Sequence, residues 1–256
     1  VGLVVLGRRA PARLVKRISH TDDAHDLFDL VYVLQRVGDG PAVRHAILAY
    51  GSVNPTEWRR AAEDAAREVD NSAVALLIEG SQAANDIVRQ SAAEALGSIG
   101  GNASLNALLT LLGDANWAIR LAAVASLTRS GAGELDTLHE ALSGGSRRVR
   151  AGVANVLSVL RQPASVKPLM QALGDSGRLV RANAAEALGR IGDPQAVEAL
   201  VGALQDADRG VRNSAAGALR TIRTKAAADA VTAWDRSRRS ARDTFSASND
   251  GPRGTG

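Results

Sequence analysis

VRANAAEALGRIGDPQAVEALVGALQDADRG (Val180–Gly210) is followed directly by VRNSAAGALRTI (Val211–Ile222), so one phrase opens twice, 31 residues apart. Extending that frame backward places arginine at Arg59, Arg89, Arg120, Arg150, Arg181 and Arg212. The same steps carry Ala66, Leu96, Leu127, Leu157, Leu188 and Leu219, and a small column of Ala62, Ala92, Ala123, Val153, Ala184 and Ala215. An aliphatic column runs through Val43, Val74, Leu105, Leu135, Val166 and Val197. Columns that keep register at a fixed period of this size are the signature of stacked repeats.

Each period reads as two helices. In Pro194–Leu204 the residues Val197, Leu200, Val201 and Leu204 fall at i, i+3, i+4 and i+7, one apolar stripe. Proline suits a first helical turn, and Gly192-Asp193 before it ends one helix and caps the next. In Val211–Ile222 the face is Val211, Ala215, Leu219 and Ile222. No segment alternates with period two for long enough to form a strand. A lone helix pair cannot bury its stripe, so neighbours must stack into a continuous core. The expectation is an all-α solenoid of about seven two-helix repeats over residues 10–243, closed by a C-terminal capping helix. Pro11–Ile18 and Ala24–Val37, with Phe28 and Tyr32, read as a degenerate first unit. Residues 244–256 read as a flexible tail.

Composition narrows the function classes. The 256 residues are 45% hydrophobic and only 3% aromatic, too few rings for a stacking platform on single-stranded nucleic acid. Cysteine is absent, which excludes disulfides, thiolate metal sites and cysteine nucleophiles. No apolar run approaches a membrane span, so a soluble cytoplasmic protein with no membrane partner is expected. The net charge of +4 has a location: from Arg220 onward eight basic residues face four acidic ones, which is the whole excess. Residues 1–219 are formally neutral. The Arg-rich end, Arg236, Arg238, Arg239 and Arg242, reads either as a solvated cap or as a weak, salt-sensitive nucleic-acid contact.

The pattern D-x-D-x-x-V-R-x-x-A-A-x-A-L-x-x-I, then G-D-P-x-A-V-x-A-L, resembles the HEAT-like repeat family. The nearest class is the roughly 31-residue one named after phycobilisome bilin lyases. The resemblance covers about residues 10–235 and is strongest at 164–222. It implies an α-solenoid, and such solenoids serve as scaffolds, chaperones, lyases and nucleic-acid binders alike. It also implies a structural ladder between units, made by a turn aspartate and a second-helix arginine six residues on. Asp114/Arg120, Asp175/Arg181 and Asp206/Arg212 have that spacing. Arg59, Arg89 and Arg150 lack the aspartate, having Val53, Ala83 and Gly144 instead, and are more open to a ligand role.

Catalytic geometry is not nominated. His139-Glu140 is a single His-Glu pair, too few ligands for a metal, and reads as a solvated helix face. His20, His25 and His45 have no metal-ligand spacing. No nucleophile elbow or phosphate loop occurs. No metal and no cofactor are expected, and an enzyme is the minority reading. Trp117 reads as packed against a neighbouring turn.

The resemblance places second helices on the concave side, where their solvent-facing columns form a ribbon. It includes Arg60, Asp64, Gln90, Glu94, Leu121, Arg129, Asn155, Glu186, Arg190 and Asn213. The ribbon is mixed in sign and partly apolar around Leu121, Ala125 and Val159, where a duplex-binding groove would be mostly Lys and Arg. The expected function is therefore a non-enzymatic scaffold that binds a protein or peptide through this face. The alternatives are a bilin-lyase-like enzyme or chaperone subunit, and nucleic-acid binding through the Arg-rich end.

Overall fold

A computed structural model describes residues 71–130 and 134–249 of the chain. The degenerate first unit, Arg59, Arg60 and Asp64 lie outside the described residues, as do 250–256. Every described element is helical. The chain divides into two compact units, Val1–Gly131 and Ala132–Gly256. In unit one the helices are α1 (Asn71–Gly80), α2 (Asp86–Ile99), α3 (Gly101–Leu111) and α4 (Trp117–Ser130). Unit two has α5 (Leu135–Gly144), α6 (Arg147–Leu160), α7 (Val166–Ala172), α8 (Arg178–Ile191), α9 (Val197–Ala203), α10 (Arg209–Thr221) and α11 (Lys225–Asn249).

The local chemistry sets these boundaries. Asn85 opens α2 by accepting from the amides of Ile87 and Val88, Ser146 opens α6, and Asp208 opens α10. Proline shapes the first turns of two short helices: Pro163–Ser165 and Pro194–Ala196 are 3-10 turns that lead into α7 and α9. The α-helical part of the first-helix stripe is therefore Val197–Ala203, shorter than Pro194–Leu204. Gly192 closes α8 with φ 79°, a conformation that glycine adopts without steric penalty. The last helix departs from expectation: α11 runs to Asn249, so the first residues of the expected tail continue the capping helix.

Second helices pack on second helices: α2 against α4 in unit one, and α6, α8 and α10 in succession in unit two. The small column makes this possible, since Ala92, Ala123, Val153, Ala184 and Ala215 are all fully buried. Leu96, Leu127, Leu157, Leu188 and Leu219 fill the space between them. Each such burial stabilises by roughly 1.5–3 kcal/mol before entropy is counted. The approach is close enough to depend on glycine. A Cβ on Gly97 would lie 2.3 Å from Ser126 Cβ, and one on Gly189 would lie 2.6 Å from Ala218 Cα. Thr221 adds a cross-helix bond, its hydroxyl donating to the Gly189 carbonyl at 2.9 Å.

Candidate functional site

The aligned arginines sort into structure before any surface can be read. Arg89 Nε donates to Asp114 Oδ2 at 2.9 Å, Arg150 Nε to Asp175 Oδ2 at 2.6 Å, and Arg181 Nε to Asp206 Oδ2 at 2.7 Å. Each partner is 25 residues on, in the turn of the next repeat. The expected carboxylate pairs Asp114/Arg120, Asp175/Arg181 and Asp206/Arg212 are corrected accordingly. Arg120, Arg181 and Arg212 give one guanidinium nitrogen to the main-chain carbonyls of Asp114, Asp175 and Asp206, at 2.8, 2.8 and 2.6 Å. Stacking explains the shift: the carboxylate that an arginine reaches sits on the helix pair laid over it. Arg89 and Arg150, read as open to a ligand, are thus ladder members.

Each ladder aspartate also orders its own turn. Asp114, Asp175 and Asp206 accept from the amides of Asn116, Gly177 and Asp208 at 2.8, 2.6 and 2.7 Å. The Arg150 guanidinium holds the Asp175 carboxyl below the usual carboxylate range, and Arg181 does the same to Asp206. Where a carboxylate is missing the ladder stops. The residue 25 beyond Arg120 is Gly145, and the one 25 beyond Arg212 is Ser237.

With the ladder assigned, the second-helix face can be followed in each unit. In unit one, α2 brings Gln90 and Glu94 together at 3.0 Å, and Arg129 of α4 donates to the Glu94 carbonyl at 3.3 Å. On α4, Leu121 is 56% exposed. Trp117, one turn earlier on α4, is 68% exposed, which overturns the expectation that it packs against a turn. Single exposed apolar side chains are ordinary, but an aromatic and a leucine four residues apart on one helix face form a contiguous apolar surface. In unit two, Asn155, Glu186, Arg190 and Asn213 are exposed along α6, α8 and α10, with Arg190 paired to Glu186 at 2.7 Å. Val159 on α6 is a further exposed apolar side chain.

Exposed positions continue one turn before the expected ribbon. Gln90 and the positions aligned with it, Leu121, Ala151, Ala182 and Asn213, each have a neighbour four positions earlier, at the first residue of the helix: Asp86 and Trp117 in unit one, Arg147, Arg178 and Arg209 in unit two. All five are exposed. Reading the 31-residue columns one turn further back would have found them.

Two other expectations change. His139 is half-buried rather than on a solvated face, its Nε2 lies 3.0 Å from the buried Ser165 hydroxyl, and burial pushes its ring toward the neutral form. At the Arg-rich end, Arg238 stacks over the buried Trp234 ring at 4.6 Å, so its cation is committed to the cap. Arg220, also over Trp234, is bonded to Asp235 at 3.1 Å. Arg236 and Arg239 remain exposed, and Arg242 lies further along α11. A cleft of about 560 Å³ between α10 and α11 is lined by Arg220, Arg223 and Lys225 over Leu219 and Ile222. Among the described residues no three His, Asp or Glu side chains converge as metal ligands, and no helix is long and apolar enough to cross a membrane.

The helix pairs, the buried small column and the inter-repeat ladder define an α-solenoid. A HEAT-repeats family model matches residues 41–128, 106–182, 135–220 and 166–245, and the chain belongs to the HEAT-repeat family. Among solved structures it is similar to human deoxyhypusine hydroxylase in complex with glycerol, at 23% identity and a TM-score of 0.38, covering 85% of this chain and 98% of that one. It is also similar to a designed armadillo repeat protein in complex with the peptide (KR)4, at 17% identity and a TM-score of 0.38, covering 82% and 98%. Neither likeness bears on function. No curated protein sequence matches the chain.

Proposed function

We propose that the chain is a non-enzymatic cytoplasmic scaffold that binds another protein through the second-helix face. The observation that carries this reading is the pair Trp117 and Leu121, one turn apart on α4 and both more than half exposed. An aromatic and a leucine one turn apart, on a second-helix face that also carries Gln90, Glu94 and Arg129, have the composition of an interface hot spot with a polar border. A carboxylate on the second-helix face of each unit, Glu94 in one and Glu186 in the other, favours a protein over a nucleic-acid backbone, which it would repel. The ladder and core residues supply rigidity without presenting reactive groups.

The test is affinity capture with the tagged full chain, comparing wild type with Trp117→Ala/Leu121→Asp. Partner recovery should fall by about 30-fold or more, the loss of a hot spot of at least ~2 kcal/mol. Helical content should stay unchanged, because both side chains already face solvent. Undiminished recovery of the same partner would sink the assignment of this face.

A further inference from the structure

The first residue of each second helix in unit two is an arginine: Arg147 on α6, Arg178 on α8 and Arg209 on α10. They recur one repeat apart and all are exposed, as is Arg148 beside the first. This is a poor place for a cation as far as the helix is concerned, because the free amides and the macrodipole make that end positive. None of the three helices carries an acid in its first turn, and of their caps Ser146, Gly177 and Asp208 only the last is acidic.

Carboxylates lie near two of the guanidiniums, Asp175 near Arg147 and Asp208 near Arg178, without a hydrogen bond to either. Asp175 and Asp206 are only 12% exposed and are held by Arg150 and Arg181 of the ladder. Asp208, the half-buried cap of α10, lies 3.9 Å from Arg178, beyond a direct hydrogen bond. The Arg178 side chain stays 68% exposed. The stem of Arg147 lies across Gly177, where a Cβ would come within 2.7 Å of it, so its position is set by the next repeat. Among the described residues Arg209 has no ion-pair partner. Leu179, beside Arg178, is 55% exposed and adds an apolar contact on the same edge.

The geometry points to a linear acidic segment of another protein, bound along this edge with one carboxylate per repeat. This rests on the second-helix face being the binding face and names its partner in unit two. Packed helices are spaced by about 8–10 Å. A polyproline-II chain has three residues per turn and rises ~3.1 Å per residue, so every third side chain returns to one side after roughly 9 Å. Asp or Glu at every third position would therefore meet successive arginines, with intervening prolines or aliphatics on Leu179. A nucleic-acid strand fits less well, since Glu186 stands exposed on the same face and no exposed ring accompanies the row among the described residues.

The experiment is fluorescence anisotropy on the full chain with a labelled peptide of four Glu-Pro-Pro repeats. A second peptide has the same composition with its four glutamates contiguous, and an oligonucleotide carries equal charge. The spaced peptide should bind at least about tenfold tighter than the contiguous one. Arg147→Ala, Arg178→Ala and Arg209→Ala should each weaken it about fivefold, and the triple variant should lose it while keeping its helical content. Equal binding of the two peptides, undiminished binding by the triple variant, or tighter binding of the oligonucleotide would each overturn the inference. Leu121→Asp, in unit one, should leave peptide binding intact. If Leu121→Asp abolished it and the triple variant did not, the arginine row would be wrong and the second-helix face would stand.

Discussion

Units one and two use the same internal parts and present different surfaces. Both stack second helices on a buried small column, Ala92 and Ala123 in one, Val153, Ala184 and Ala215 in the other. Both tie neighbouring repeats with an arginine and an aspartate 25 residues apart. The exposed first residues of those helices then diverge, to Asp86 and Trp117 in unit one and to three arginines in unit two. Unit one continues with Leu121 where unit two has Ala151, Ala182 and Asn213. Positions facing inward are set by packing and repeat, while positions facing outward are free to encode a partner. Two surfaces on one scaffold suit two kinds of contact, one apolar and one electrostatic.

Inward sameness can be broken most severely in the core. Leu157→Ala in unit two and Leu127→Ala in unit one should each lower unfolding free energy by about 2–5 kcal/mol, read from denaturant midpoints. If either midpoint stays put, the leucine column is not a shared core. The ladder comes next. Asp175→Asn leaves the Arg150 guanidinium without its carboxylate and should cost about 2–3 kcal/mol, with Asp114→Asn giving a similar loss in unit one. Acid should mimic the change in unit two. Asp175 and Asp206 titrate below their ordinary value of 3.8 when folded, because of Arg150 and Arg181. Their contribution is therefore present above that value and disappears as pH falls through the lower folded one. Thermal melts should drop on acidification from about pH 4 downward, and Asp175→Asn/Asp206→Asn should flatten that drop.

The core was legible in the sequence because burial acts on every repeat at one phase, so Leu96 to Leu219 line up by inspection. The ladder was half legible. Its residues line up, but their pairing depends on how far one repeat lies from the next, and the i−6 spacing in sequence is shorter than the i+25 contact in space. Solvent-facing positions such as Leu121, Arg129, Asn155, Glu186, Arg190 and Asn213 were legible because helix period alone assigns them, while Gln90 and Glu94 are half-buried. Arg147, Arg178 and Arg209 stayed hidden behind a charge sum: residues 1–219 are neutral in total, and a sum does not record that one sign is gathered on one edge while the other lies elsewhere. Trp117 and His139 were misjudged because their exposure depends on neighbours in space.

Close packing separates two glycines that look equivalent in sequence. Gly189→Ala would push a methyl into the Ala218 backbone and should cost about 1–3 kcal/mol. Gly217→Ala, in α10 with open space around it, should instead stabilise by about 0.5–1 kcal/mol. Equal melting shifts for the two would mean that α8 and α10 are not in close contact.

The smallest effect bears most directly on what the two surfaces are for. Asp86 and Arg209 occupy one structural position, the first residue of a second helix, with opposite charge. Asp86 suits the helix dipole, accepts from Asn116 at 2.7 Å, and is held below the usual carboxylate range by that bond and by Arg89. Replacing it with alanine should lower the melting temperature. Arg209 opposes the dipole, so Arg209→Ala should raise stability, by about 0.3 kcal/mol. That variant should weaken binding of the acidic peptide at the same time. A residue whose removal helps folding and harms binding is placed for a partner, and one whose removal harms only folding is placed for the scaffold. If Asp86→Ala and Arg209→Ala shifted the melt in the same direction, position alone would govern both, and the contrast between the two surfaces would lose its physical basis.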